Sequence, residues 1–336
     1  MALSLGIRFP PVQPPLEIAE HAAEAERAGF ESAWVTDTPL IAGLWGDPYV
    51  YLSLMALQTE NMKIGVAVTN AFMRLLPAAG AAARTVHDVS GGRFIFGLGA
   101  GGSSAWALGM RKGQLGMMRD FVQSIKPLFR DGKTKWKERT FELNPPRKIP
   151  IYIAAQGPKT IEAAGEIADG VILQVGANER TIAWAMEHLE RGAKKAGRKL
   201  SDIFVMMSVH CCAHSDPEKQ ISRMRHLMAT FYLTSTYILD VAGLKRVPPP
   251  EDLSIYPDLS HAYDMDEASR VASFVPDEAV EALALLGSKE RWLEKLRMIQ
   301  GMGVQQILLR GPDSYNPPFD EIAFCREEII PELGRL

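Results

Sequence analysis

The sequence has little cysteine, no excess of charge of one sign and no long apolar run. Its cysteines, Cys211, Cys212 and Cys325, form no CxxC pair, and two adjacent cysteines make a poor disulfide framework, which is typical of a reducing compartment. The net charge of -3 gives no electrostatic reason to expect nucleic acid or an anionic membrane as a partner. No run of 18 apolar residues occurs, and the N-terminus lacks the basic and apolar segments of a signal peptide. We therefore expect a cytoplasmic protein.

What the chain does have is a repeated unit of a buried strand followed by a helix. The first four strands are predicted at 3–9, 31–36, 62–69 and 93–98, and four more at 151–155, 170–175, 203–212 and 304–309. Alternation of this kind specifies a parallel sheet with right-handed crossovers. Eight such units predict an α/β fold, a (β/α)8 TIM barrel formed as a single domain by residues 1–336.

Two segments are too long to be ordinary connections. Residues 131–150, after strand four, are polar and are predicted to carry a short hairpin. Residues 236–275, between strands seven and eight, contain three successive prolines, and loops of this length are usually functional or mobile. Two interpretations of this second insertion stay open. Part of it covers the mouth of the barrel and contacts substrate, or it is an ordered helical insertion at an oligomer interface.

The active site of such a barrel lies at the C-terminal ends of its strands, which selects the candidate residues. The stretch RTVHDVSGGRFIFGLGAGG, residues 84–102, predicts a helix end, a turn, a buried strand and a glycine loop suited to an anion or only to tight packing. At 156–160, QGPKT predicts a helix start whose free amides favour an anion or are simply capped. Trp45 and Trp106 follow strands two and four, where each stacks on a planar ligand or packs under a loop.

A metal site receives little support. His210, Cys212 and His214 would share one face of an extended strand, but ligands from a single strand leave the rest of the coordination shell unidentified. We predict no bound metal.

Four stretches together resemble a known family. They are AERAGFESAWVTD, IGVAVTN, SGGRFIFGLGAG followed by LGM, and IYIAAQGPKTIEAAGEIADGVIL, and they keep their order over most of the first 180 residues. On these stretches the chain resembles the luciferase-like oxidoreductases that use a flavin or deazaflavin. Within them it is most similar to the branch that uses coenzyme F(420), such as methylenetetrahydromethanopterin reductase.

The resemblance implies a TIM barrel with a deazaflavin at its mouth. It implies a non-prolyl cis peptide between Ala67 and Val68, in a bulge of the third strand that backs the deazaflavin ring. Asp37 matches the acidic residue near the reactive edge of the ring. The resemblance further assigns cofactor contacts to Asp37 and to Ala67, Val68, Thr69, Asn70, Gly99, Ala100, Gly101, Gln156, Gly157, Pro158, Lys159 and Gly176.

The chain departs from the family pattern at two positions. Thr38 stands where several relatives have histidine, and Gly102 stands where the reductase has aspartate. The acid near the reacting nitrogen of the substrate is therefore missing, and no residue is assigned as proton donor.

The leading hypothesis is an oxidoreductase that transfers a hydride between coenzyme F(420) and an unidentified organic substrate. Asp37, with Trp45 as a further candidate, is predicted to polarise or protonate that substrate. One alternative keeps the fold but uses FMN and oxygen, as a monooxygenase. A second alternative is a barrel that binds a flavin without turnover. The expected partners are a small-molecule substrate and a second copy in a homodimer, with neither nucleic acid nor membrane.

Overall fold

The structure is a computed structural model that describes residues 3–12, 14–38, 40–111, 113–256, 258–262 and 264–335. Eight strands form a closed barrel and two form a separate hairpin. The barrel strands are β1 (Ser4–Phe9), β2 (Ser32–Val35), β3 (Lys63–Thr69), β4 (Phe94–Leu98), β7 (Ile151–Ala155), β8 (Gly170–Leu173), β9 (Phe204–His210) and β10 (Gln306–Arg310), and the hairpin strands are β5 (Lys133–Trp136) and β6 (Arg139–Glu142).

Helices follow the barrel strands and cover the outside of the barrel. They are α1 (Pro15–Ala28), α2 (Pro48–Gln58), α3 (Leu76–Val89), α4 (Gly102–Ala107), α5 (Leu115–Asp131), α6 (Pro158–Ile167), α7 (Glu179–Lys195), α8 (Pro217–Thr234), α9 (Thr236–Ala242), α10 (Met265–Val271), α11 (Asp277–Leu283), α12 (Lys289–Gly301), α13 (Phe319–Phe324) and α14 (Ile330–Leu333). Among the described residues, no helix is both long enough and apolar enough to cross a membrane.

All barrel strands are parallel, in the closed order β1-β10-β9-β8-β7-β4-β3-β2. Strands such as β4 (FIFGL) and β8 (GVIL) are buried on both faces, because the barrel interior lies on one side and helices lie on the other. The predicted eight-stranded (β/α)8 barrel is confirmed. The hairpin predicted within 131–150 is also present, as β5 and β6.

The inside of the barrel is filled by side chains. Trp34, Ile95, Tyr152, Ile172, Met206 and Leu308 pack together in the lumen. Gly65 on β3 leaves room for the Trp34 ring, since a Cβ at this glycine would lie 2.2 Å from two ring carbons. Layers of side chains fill the centre of a barrel in this way and leave open space only at its ends.

Two strand boundaries differ from those predicted near the candidate site. The strand predicted at 203–212 ends at His210, because Cys211 forms an isolated bridge with Leu285 instead of continuing the β9 ladder. The strand predicted at 304–309 begins later and extends to Arg310, which pairs in register with His210. These shifts place His210 and Arg310 together at the C-terminal rim.

Candidate active site

A cavity of about 780 Å³ lies at the C-terminal ends of the strands. All eight barrel strands, or the residues that directly follow them, contribute to its lining. A second chamber of about 70 Å³ shares Gln156, Gln174, Ser208 and Arg310 with it. The larger volume lies within the range of ordinary ligand pockets, roughly 300–1,000 Å³.

One wall of the cavity is built around a bulge in β3. Val66 pairs with Phe96 of β4, but the next pair in the ladder is Thr69 with Leu98, so Ala67 and Val68 are displaced from the ladder. The peptide bond between them is cis. Both residues line the cavity, beside Gly99, Ala100 and Ala154. The result is a wall of small, mostly apolar side chains.

The glycines of β4 make room for this bulge. A Cβ at Gly97 would lie 2.0 Å from the carbonyl oxygen of Val66, and a Cβ at Gly99 would lie 2.5 Å from Cγ2 of Val68. Both distances are far below van der Waals contact, so β4 tolerates no side chain at either position without a shift. The glycine pattern therefore serves the close approach of two strands first, and only then a ligand.

The opposite wall is polar and cationic. In the closed strand order β9 lies opposite β3 and β10 lies opposite β4, whereas β1 is separated from β3 only by β2. Arg310 and His210 therefore stand on the far rim, and Arg8 stands beside Arg310 on the way round to the bulge. Arg8 is 6% exposed and lines the cavity, as does Arg310. Burial, and then the neighbouring Arg310, lower the pKa of Arg8 to about 9. Burial likewise lowers the pKa of Arg310, and it lowers that of His210 well below 6.5.

The second insertion covers part of the mouth. Ile255, Tyr256, Ser260 and His261 all line the cavity. The Tyr256 ring stacks on His261 with centroids 5.9 Å apart, and it also meets Trp106 at 5.7 Å. This part of the insertion therefore covers the mouth, as the first of the two interpretations expected. The second interpretation, a role at an oligomer interface, stays a prediction.

A polar arm of the cavity runs toward the start of α6. It is lined by Gln156, Gly157, Thr160, Thr234, Ser235 and Tyr237. The Ser235 hydroxyl donates to Oε1 of Gln156 at 2.8 Å and so fixes that amide. The helix begins with proline and has no side-chain cap, but the Thr160 amide already donates to the carbonyl oxygen of Gly157, so the Lys159 amide is the first-turn donor left for a ligand.

Comparison with known proteins places this site in a family. A sequence profile described as luciferase-like monooxygenase matches residues 5–306. The chain belongs to the luciferase-like monooxygenase family. It is 28% identical to the 5,10-methylenetetrahydromethanopterin reductase of Archaeoglobus fulgidus, over 98% of this chain and 100% of that protein. It is 24% identical to the F(420)-dependent glucose-6-phosphate dehydrogenase of Amycolatopsis mediterranei, over 96% of each.

Among solved structures, the fold matches that of the coenzyme F(420)-dependent tetrahydromethanopterin reductase of Methanopyrus kandleri. The TM-score is 0.80 at 24% identity, and the match covers 99% of this chain and 100% of that one. This match confirms the luciferase-like barrel fold that the sequence predicted.

The structure brings eight of the predicted cofactor-binding residues to the two chambers. Ala67, Val68, Gly99, Ala100, Gly101, Gln156 and Gly157 line the large cavity, and Gly176 lines the small one. Thr69 and Asn70 are buried behind the glycine loop and are not part of the lining. Pro158 and Lys159 are also outside it, and Lys159 is exposed.

Asp37 does not line the cavity. Its carboxylate accepts hydrogen bonds from Nε of Arg74 at 2.6 Å and from Nη2 at 3.3 Å, and Arg74 also binds Asp47 at 2.6 Å. The guanidinium lies over the Tyr49 ring, 4.5 Å from its centroid. Burial raises the pKa of Asp37 and Arg74 opposes that shift. Asp37 thus anchors the loop that carries Thr36 and Thr38 into the cavity.

Trp45 lies one layer behind the cavity. It is 1% exposed, and its ring packs edge-on against His261 with centroids 4.8 Å apart. Of the two, only His261 lines the cavity, so Trp45 contacts a ligand through His261 and not directly. The catalytic roles of Asp37 and Trp45 stay predictions. Neither residue lines the cavity, so each would act on a ligand through a neighbour that does, Thr38 for Asp37 and His261 for Trp45.

The two positions that depart from the family pattern face the cavity together. The hydroxyl oxygens of Thr38 and Ser103 are 2.9 Å apart, and Ser104 donates to the carbonyl oxygen of Asp37 at 2.9 Å. Gly102 begins α4 beside them, and a Cβ there would meet only the Tyr256 hydroxyl, at 3.8 Å. Neutral hydroxyls therefore line the cavity at the place where the resemblance led us to look for an ionisable side chain.

The possible metal ligands do not form a site. His210 lines the small chamber, Cys212 is fully buried, and Nδ1 of His214 accepts from the amide of Asp216. Among the residues that the structure describes, no group of three or more His, Cys, Asp or Glu is placed to hold a metal ion.

Sequence reasoning missed Arg8, Tyr256 and His261 as site residues. Arg8 had a signal, because it is the one charged residue in an otherwise apolar predicted strand. His210 was considered only as a possible metal ligand, and Arg310 received no role. For Tyr256 and His261, in an irregular insertion, the sequence carries no periodicity that would aim them at the cavity.

Proposed function

We propose that this chain is a coenzyme F(420)-dependent oxidoreductase that transfers a hydride between the deazaflavin and a small organic substrate. The observation that carries this proposal is the pairing of two walls, a flat wall of small residues on the β3 bulge and a polar wall across the barrel. Relatives that cover almost the whole chain, with names that include F(420)-dependent enzymes and methylenetetrahydromethanopterin reductase, support it.

The residues present fit a planar tricyclic ring. Ala67, Val68, Gly99 and Ala100 offer a surface with few protruding atoms, and a side chain at Gly99 would disrupt it. The arm at Gln156, with its amide and hydroxyl groups, suits a polar tail and phosphate. Gly101 lies in the loop between these two regions. It has a φ of 68° and packs against the Asn70 side chain, where a Cβ would lie only 2.7 Å from the amide nitrogen.

When bound, the deazaflavin supplies or accepts the hydride at its C5. The protein orients the substrate over the free face of the ring and excludes water, which are the contributions expected of a cofactor enzyme. Reduction of a carbonyl or imine needs a proton with the hydride, and oxidation releases one. We assign the passage of that proton to the paired hydroxyls of Thr38 and Ser103, which line the cavity.

In this proposal Asp37 and Trp45 are positioning residues. Asp37 fixes the loop between Thr36 and Thr38 through Arg74, and Trp45 fixes His261. We further propose a homodimer in the cytoplasm. Buried free thiols at all three cysteines are in keeping with a reducing compartment, and sedimentation would test the dimer.

The test is binding of oxidised F(420) and of FMN, each followed by tryptophan fluorescence. We expect F(420) to bind at least ten-fold more tightly than FMN. Ala100→Phe should abolish binding because it fills the flat wall, whereas Ala81→Phe, on the exposed face of α3, should bind as the wild type does.

Tighter binding of FMN, or equal binding by the Ala100→Phe variant, would contradict the proposal. The family name supports FMN-dependent monooxygenation as the second candidate. A further experiment separates an enzyme from a barrel that binds the flavin without turnover. The protein is mixed with reduced F(420) and a panel of carbonyl and imine acceptors. Acceptor-dependent oxidation of F(420) rules it out.

A further inference from the structure

The rim of the cavity at β1 and β10, called the arginine wall below, holds two arginines side by side. β1 and β10 pair in register with Ile7 beside Leu309, so the next residue of each strand, Arg8 and Arg310, lie next to each other at the rim. Both side chains line the cavity, and Arg310 also lines the small chamber.

Among the residues that the structure describes, neither guanidinium has a hydrogen-bonded partner. Nε of Arg8 and Nε of Arg310 are buried without a hydrogen-bond acceptor, and neither side chain forms an ion pair within the described ranges. The nearest carboxylate with an influence on Arg8 is Asp313. Its oxygens are occupied, because Oδ1 accepts from the amides of Tyr315 and Asn316, and Oδ2 accepts from the Asn316 side chain. Asp313 therefore attracts Arg8 without an ion pair, and neither of the two adjacent cations has a hydrogen-bonded carboxylate among the described residues.

The groups around them would also favour an anion. Nδ1 of His210 and Nδ1 of His261 are buried without partners, and both residues line the chambers. His261 is held in place by the Tyr315 hydroxyl, which donates to its carbonyl oxygen, and by stacking on Tyr256. Imidazole N–H groups and guanidinium forks are the donors that carboxylate and phosphate oxygens accept.

We propose that Arg8 and Arg310 bind the acid group of the substrate, so that the substrate class is a small molecule with a carboxylate or phosphate. This inference rests on the proposed function, because it takes the substrate to lie on the free face of a ring against the β3 bulge. Arg310 is on that side, since β10 lies opposite β4 in the closed strand order, and Arg8 is its neighbour on β1, which only β2 separates from β3. The acid group would anchor one end of the substrate and leave its reacting carbon over the ring.

The first arm of the test uses anions alone, without cofactor. Thermal unfolding of the full chain is measured in phosphate, acetate and chloride at one ionic strength. We expect phosphate or acetate to raise the Tm of the wild type by several degrees relative to chloride. Arg8→Gln and Arg310→Gln should each lose most of that rise, Arg8→Lys should keep part of it, and the exposed-site control Arg139→Gln should keep all of it.

The second arm measures F(420) binding by the same variants. We expect Arg8→Gln and Arg310→Gln to bind F(420) within two-fold of the wild type. Loss of ten-fold or more would overturn the substrate assignment, because the anion bound there would be the acidic tail of the cofactor. An anion response that is absent in the wild type, or intact in both glutamine variants, would overturn the site itself. If wild-type protein binds anions but not F(420), the proposed function fails while the anion site stands.

Discussion

The close approach of β3 and β4 allows a sharp test at Gly99. In Gly99→Ala, the new Cβ would lie 2.5 Å from Cγ2 of Val68 and 3.6 Å from Cβ of Ala154. Only the first distance is prohibitive. Valine is β-branched and stiff at χ1, so the strain falls on the bulge and should cost about 1–3 kcal/mol of unfolding free energy.

Removal of the obstructing methyl groups should reverse that loss. Val68→Ala alone deletes two half-buried methyl groups and should cost about 1 kcal/mol. In the double variant the Cβ at position 99 meets the Cβ atoms of residue 68 and of Ala154, each at an ordinary contact distance of 3.6 Å, so the double variant should be about as stable as Val68→Ala alone. The coupling energy should then equal the cost of Gly99→Ala, about 1–3 kcal/mol in favour of the double variant.

Gly97 provides the matched control. A Cβ there would lie 2.0 Å from the backbone oxygen of Val66, which no side-chain truncation removes. Gly97→Ala should therefore be more destabilising than Gly99→Ala, and Val68→Ala should not rescue it. Urea unfolding of the six proteins measures all of these terms. Additivity of the Gly99 and Val68 changes within about 0.5 kcal/mol would refute the role given to these glycines.

Two further predictions concern charge. Asp37→Asn should lower the free energy of unfolding by about 2–4 kcal/mol, because it leaves a partly buried Arg74 with one partner. Asp47→Asn, at a carboxylate 48% exposed, should lower it by less than about 1 kcal/mol. Equal losses for the two variants in urea unfolding would contradict this difference. Burial lowers the pKa of His226 from 6.5 to about 4, so the unfolded chain binds its proton first and stability falls from about pH 6.5 down to about pH 4. This residue alone should make the protein about 2 kcal/mol less stable at pH 5 than at pH 8. His226→Leu should flatten the profile by that amount, and an unchanged profile would exclude the effect.

The barrel could be predicted because its signals are local. Each strand is a short apolar run buried on both faces, and the turn at Gly91 and Gly92 carries the positive φ that favours glycine. The helices of the C-terminal third were not predicted. A start signal was nevertheless present for α8, since Asp216 precedes Pro217 and caps the amides of Glu218 and Lys219.

The site could be predicted only as a set of strand ends. Sequence indicates that Thr36, Asp37 and Thr38 follow β2, but it does not say which of them turns inward. In the structure the two threonines line the cavity, while Asp37 turns away to Arg74, a residue 37 positions later. Contacts between distant loops decide this orientation, and a single sequence does not display them. The glycine loop was likewise recognised, but its main reason, the β3 bulge, is a tertiary one.

Each of the two walls of the cavity lowers the stability of the empty protein, for a different reason, and a bound ligand would offset both costs. The bulge wall requires glycines on β4 and gives up side-chain packing for a flat surface. The arginine wall keeps Arg8 and Arg310 adjacent, with no hydrogen-bonded carboxylate in the described part of the chain, which disfavours the empty protein. A ring on the first wall would displace water from the second and lower the local dielectric, which strengthens the attraction of the guanidinium groups for an acid. On the functions proposed here, cofactor binding should therefore tighten substrate binding.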